Sequence, residues 1–164
     1  MDHSISRFSP EFRYLQAGLQ FIDNILSRAI HCILGLISVP GYLTHLTLSD
    51  IELLLRSRKG SSLAGRLGIG WASGKNRVQE AVRMALSSPT LEQPVKMASG
   101  VLIYVVCRNE IDLTETSLVI EKVVMVFRPD ARILYNGTSD PNLKEEFSIT
   151  VICLYEPHEL SMAV

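Results

Sequence analysis

GIGWASGKNRVQEAVRMALSSPTLE, Gly68 to Glu92, changes its hydrophobic period half-way. Its first part belongs to the stretch 61–73, SSLAGRLGIGWAS, which has no helical repeat and carries three glycines. That composition reads as a strand whose missing side chains let another element come close. The second part, 75–88, sets Val78, Val82 and Leu86 on one stripe with Ala81 and Ala85 beside it. This is the pattern of an amphipathic helix, and Pro89 stops it. A phosphate-binding loop is the competing reading. It needs four residues between its first glycine and a Gly-Lys pair that Ser or Thr follows. Here Gly74-Lys75 precedes Asn76, and the position that should be the first glycine is Ile69. Strand followed by helix is what remains.

The pattern continues downstream. GVLIYVVC, 100–107, is an unbroken apolar run rich in β-branched residues and reads as a central strand. DLTETSLVIEKVVMVF, 112–127, opens on a candidate cap and places Leu118, Val119, Val123 and Val126 at helical spacing. ARILYNG and FSITVICLY are two more strands, and the turn TSDPNLKEE between them suggests a hairpin. Upstream, Thr47 or Ser49 caps a short helix over 49–58, with Asp50 and Glu52 in its first turn. Pro40-Gly41 ends a long helix over 11–39. In that helix Leu15, Leu19, Ile22, Leu26, Ile30, Ile33 and Ile37 recur at three- and four-residue steps, and Phe21, Ile25, Ala29 and Leu36 add a second apolar side. It therefore expects burial on more than one side. The expected architecture is α+β, a two-layer sandwich: a four-stranded sheet from about 63–72, 100–107, 131–136 and 147–155, with helices 75–88 and 113–127 packed on it and a long helix in front. The domain plan is a tail over 1–10, the helix over 11–39, a sheet domain over 40–156 and a tail over 157–164.

Bulk properties narrow the function classes. Of 164 residues 47% are hydrophobic, enough for a real core. A formal charge of −1 argues against non-specific nucleic-acid binding. Cys32, Cys107 and Cys153 are scattered, so they read as buried reduced thiols rather than metal ligands. The first twelve residues lack a signal-peptide core. The run from Ile22 to Val39 is broken by Asp23, Asn24, Arg28 and His31, so it does not read as a membrane span. The sequon at Asn136 reads as a turn. His3, His31 and His158 are lone histidines in no recognisable catalytic pattern and are poor catalytic candidates. A cytoplasmic setting fits, with a plastid stroma as a second option.

Several of these words, in order, resemble FtsZ, the tubulin-like GTPase of bacterial and plastid division. GIGWASGKNRVQEAVRMALSSPTLE is similar to the family's G-x-G-x-A-x-G-x-x-R-x-x-x-A-x-x-x-A-[IL]-x-S-P-L-L-E, the most specific match. ARILYNGTSDPNLKEEFSITVICL resembles A-x-[IV]-I-x-G-[ATS]-x-x-D-x-x-[LM]-x-x-E-[LI]-x-V-T-V-I-A-T, and ISVPG resembles the end of the family's central helix. The likeness spans about 14–156. It implies the fold of the family's second domain, preceded by the helix that joins the two domains. The tubulin signature G-G-G-T-G-[ST]-G does not occur in the 164 residues. On the central helix the family places an aromatic that stacks on guanine and, four residues on, an Asp or Asn that reads it. Those places fall at Leu19, a departure, and Asp23, a match and a nucleotide-binding remnant.

The loop after that helix is N-x-D-x-x-D in the family. It reaches the next subunit's nucleotide, where its acids polarise the attacking water. Aligned backwards from Ser49-Asp50-Ile51, with one extra residue at Tyr42, the three places are His45, Thr47 and Asp50. A hydroxyl stands where the first carboxylate should be, and it cannot accept a proton as a carboxylate can. The resemblance thus implies a truncated FtsZ-like interaction module with a degenerate synergy loop. It would meet FtsZ or another tubulin-like division polymer, with GTP only through a partner subunit and no GTPase activity of its own. Self-association through helix 11–39 would be a further contact, and neither nucleic acid nor membrane a partner. The alternative is a degenerate half of a cell-division GTPase that completes a partner's nucleotide site.

Overall fold

The computed structural model describes residues 10–38, 46–56, 63–91 and 95–156; within the first helix it describes the side chains of 16–20 and 22–35. The elements are α1 (Pro10–Ser38), α2 (Leu48–Leu55), β1 (Ala64–Ala72), α3 (Arg77–Leu86), β2 (Gly100–Cys107), α4 (Leu113–Val124), β3 (Arg132–Ser139) and β4 (Phe147–Tyr155), with 3₁₀ turns at Pro89–Leu91 and Val95–Met97. Strand, helix, strand, helix, strand and strand follow as expected.

The four strands form one sheet in the order β1–β4–β2–β3. β4 runs antiparallel to both β1 and β2, and β2 and β3 are parallel. The expected hairpin of the last two strands is therefore absent. β2 lies between them, and β4 inserts at the centre. The physical reason lies in FSITVICLY, of which all nine residues are buried. A strand apolar on both faces needs neighbours on both edges and helices on both sides, so it cannot be the outer partner of a hairpin. β3, only partly buried along most of its length, takes the edge. It reaches its parallel place through α4, the usual strand–helix–strand crossover. Asn136, expected in a turn, lies inside β3 and is buried, where its Oδ1 accepts the Gly137 amide at 2.8 Å.

Alternation divides the core. Val101, Ile103, Val105 and Cys107 of β2 and Phe147, Ile149, Val151, Cys153 and Tyr155 of β4 face α3 and α4. Leu102, Ile152 and Leu154 face the other way and meet Cys32 of α1, Ile51 and Leu54 of α2, and Leu67 of β1. Gly68 and Gly70 let α3 lie directly on β1, and no strand side chain separates the two there. The start of α3 is fixed by Arg77, whose Nε and Nη2 donate to both carboxylate oxygens of Glu115 on α4 at 2.7 and 2.8 Å. Glu146 accepts from the Gly74 amide at 2.8 Å, while its own amide donates to Ser73 Oγ at 3.1 Å. The turn before α3, the start of α4 and the start of β4 are thus stitched together. Asp112 caps α4 by accepting the Glu115 amide at 2.6 Å.

Cys32, Cys107 and Cys153 are all buried, and burial pushes each thiol up to about 12. A raised folded value means that the native state keeps protons the unfolded chain releases. Stability is complete below about 9 and falls as pH rises from there toward about 12. Tyr104 and Tyr135, raised chiefly by the same desolvation, act in the same direction. We expect denaturant midpoints to drop across that alkaline range, and Cys107→Ala to flatten part of the slope. A midpoint constant across the range would contradict this.

Candidate docking site at the start of the second helix

Three features of the sequence position α2. Ile51 and Leu54 are buried against the second face of the sheet, while Leu48 and Leu53 are each 56% exposed. Gly100 leaves room for Leu54, whose Cδ1 would lie 2.9 Å from a Cβ added there. Arg132 of β3 donates from Nη1 to the Leu53 carbonyl at 2.9 Å, satisfying a group at the C-terminal end of α2. The helix is therefore pinned at its far end and offers its N-terminus to solvent.

At that N-terminus Thr47 and Asp50 form a reciprocal capping box. Asp50 N donates to Thr47 Oγ1 at 3.3 Å, and Asp50 Oδ2 accepts from Thr47 N at 2.8 Å and from Thr47 Oγ1 at 2.7 Å. The hydroxyl and amide of Thr47 hold the Asp50 carboxyl below the ordinary carboxylate value of 3.8. Both residues are expected at this helix start from the sequence, where Asp50 has a dipole role and Thr47 is a possible cap. That the two bond to one another is new. The signal was present: Thr-x-x-Asp is a shortened form of the Ser/Thr-x-x-Glu box. A depressed carboxyl contributes stability above its unfolded value, lost as pH falls through the folded one. We expect the Asp50 side-chain carbon to titrate below an unfolded reference by NMR. Thr47→Val should bring it back upward.

The other expected site residues are dispersed. Asp23 is exposed on α1, and Leu19 on the preceding turn is 55% exposed. Both sit on a different element from the Thr47–Asp50 turn, whose hydrogen bonds described above run within the turn itself. His45, Tyr42 and Pro40-Gly41 lie outside the described residues, as do most of both expected tails. Among the described residues no group of His, Cys, Asp and Glu could hold a metal, and no helix is long and apolar enough to cross a membrane.

α1 lies on the same side of the sheet as α2, held by its less apolar face. Ile25, Ala29 and Cys32 pack toward the sheet, and Gly35 meets the ring of Tyr104. Arg28 stacks over Trp71 at 5.4 Å and donates to Ser148 Oγ at 3.4 Å. Asn136 Nδ2 donates to the Gly35 carbonyl at 3.4 Å. The stronger stripe points outward: Leu19, Ile22, Leu26, Ile30 and Ile33 are 37–59% exposed. The expected second apolar side is therefore present, and within the described residues nothing covers it.

A two-faced sheet with a long helix docked across it, and a short capped helix at its rim, is the plan of the second domain of the tubulin-like proteins. Comparison with known proteins agrees. The family model "FtsZ family, C-terminal domain" matches residues 64–154, and the chain belongs to that family. It is 33% identical over 141 residues to "Mitochondrial division protein fszB" of Dictyostelium discoideum, covering 86% of this chain and 37% of that one. To "Cell division protein FtsZ 1" of Archaeoglobus fulgidus it is 33% identical over 138 residues, covering 84% and 36%. Among solved structures, an empty FtsZ dimer of M. jannaschii superposes with a TM-score of 0.74 at 25% identity over 92% of this chain and 41% of that one. The chain thus spans little more than a third of the length of the curated relatives it matches.

Proposed function

We propose that these 164 residues act as an interaction module for FtsZ or another tubulin-like division polymer, without GTPase activity of their own. The segment 40–50 docks on the nucleotide face of a neighbouring subunit. What carries this reading is the capping box. Asp50, the one acid left at the family's catalytic loop, has an oxygen engaged by both the hydroxyl and the amide of Thr47. A carboxylate held in this way has its orientation set by the cap, so it shapes the surface at the exposed start of α2. The exposed Leu48 and Leu53 beside it add apolar contact area. The outward stripe of α1 is a second contact surface in the same reading. Any GTP in such a complex belongs to the partner subunit.

Co-sedimentation with full-length FtsZ polymers, with and without GTP, tests this. The chain should pellet with polymer and should bind no GTP in calorimetry on its own. Absence from the pellet at equimolar ratio, or micromolar GTP binding by the isolated chain, would sink the proposal.

A further inference from the structure

The outer stripe of α1 is its own mirror image in sequence. Its steps are four, three, four from Leu15 to Leu26 and four, three, four again from Leu26 to Ile37. Reversing the helix about Leu26 exchanges Ile22 with Ile30, Leu19 with Ile33 and Leu15 with Ile37. An eleven-residue repeat also advances about 3.67 residues per turn, close to the 3.6 of a straight helix. The stripe therefore runs nearly parallel to the helix axis, so a second straight helix can follow it end to end. The five described members are exposed and uncharged, and they point away from the sheet. Asp23 borders the ridge, where a carboxylate keeps its water, and Arg28 is turned inward onto Trp71.

We propose that two copies of this chain pair antiparallel through the α1 ridge, with Leu26 on the twofold axis. A palindromic apolar ridge is what an isologous contact requires, since each position must meet its own reversal. A ridge of 22 residue steps is roughly 33 Å long, and helix pairs sit about 8–10 Å apart. Such a contact falls at the small end of specific interfaces, so the dimer is reversible and depends on concentration. This deepens the self-association part of the reading above and does not require polymer docking.

The test uses the whole chain alone. Sedimentation equilibrium should show a monomer–dimer equilibrium. Leu26→Glu, which sets two carboxylates against each other at the axis, should shift the midpoint concentration at least roughly tenfold. Met125→Glu, at an exposed position on the opposite side of the sheet, should leave it unchanged. Single cysteines give a second readout with a short bismaleimide: Leu26→Cys should cross-link to itself, and Leu19→Cys should cross-link to Ile33→Cys when the two are mixed. The native thiols are buried and stay silent. A monomer at every concentration overturns the proposal, as does a Leu19→Cys chain that cross-links to itself but not to Ile33→Cys. Co-sedimentation of Leu26→Glu with FtsZ polymer separates the two readings, because loss of the dimer should leave docking intact.

Discussion

Gly70→Ala is expected to abolish cooperative folding, or to cost more than about 3 kcal/mol where some folding survives. A Cβ at position 70 would fall inside the carbonyl oxygen of Ala81 and 2.8 Å from both Ala81 C and Ala85 N. Those are backbone atoms of α3, so no rotamer change relieves the clash and the helix must lift off the strand. Ala81 and Ala85 are fully buried, and the displacement would expose them together with their contacts to β1. Ordinary overpacking costs ~1–3 kcal/mol where side chains can give way, and a rigid backbone contact belongs above that range. Domains of this size are stable by only ~5–15 kcal/mol, so a loss of this size is visible as a collapsed or shifted denaturant transition. Gly65→Ala is the control in the same strand. Its Cβ would meet Leu154 Cδ2 at 3.8 Å and Ile152 Cγ2 at 4.0 Å, ordinary contact distances. A midpoint within experimental error of wild type at Gly65 and a large loss at Gly70 would locate the effect in the approach of α3. Equal effects at the two positions would contradict it.

The glycine pattern that makes this prediction possible is legible in the residues themselves, because a strand bearing Gly-x-Gly followed by a helix bearing Ala-x-x-x-Ala announces close packing. Every α-helix and strand could be read locally because its period is written in its own residues. Pairing order is not local. FSITVICLY announces a buried strand, but the turn TSDPNLKEE suggests a hairpin, and burial of both faces outweighs proximity in sequence. In α1 the stripe richest in Leu and Ile faces solvent, whereas the side bearing Ala29, Cys32 and Gly35 meets the sheet. The reason is steric: Tyr104 lies against Gly35, and a larger residue there would hold the helix away. At the candidate site, Thr47 and Asp50 can be named from sequence. The hydrogen bonds between them are signalled only by the Thr-x-x-Asp spacing, because they also depend on Thr47 taking an extended backbone at the cap.

Those bonds sharpen the expected behaviour of Thr47→Asp in a filament. If the wild-type chain docks its 40–50 segment on the terminal subunit of an FtsZ polymer, it should occupy that end without assisting hydrolysis there. Substoichiometric chain should then shorten filaments and lower GTP turnover per FtsZ. Aspartate is also a good cap, so Thr47→Asp retains an acceptor for the first turn of α2 and the helix should persist. It removes the hydroxyl that donates to Asp50 Oδ2 at 2.7 Å and sets a second carboxylate beside the first. Like charges so close favour a wider separation, which releases Asp50 from the cap and raises its proton affinity. Two carboxylates would then face the docked nucleotide, where one constrained acid stood before. Positioned base or water-orienting help is commonly worth ~10²–10⁴ in rate, so turnover at the capped interface should recover in part while filaments stay short. Thr47→Val is the necessary partner variant: it frees Asp50 from the hydroxyl without supplying an acid, and should leave turnover low. Recovery with Thr47→Val as well would assign the block to the Thr47–Asp50 bond alone. No recovery with either, while the chain still pellets with polymer, would move the lost acid to another position of the segment and overturn the alignment of Thr47 with it.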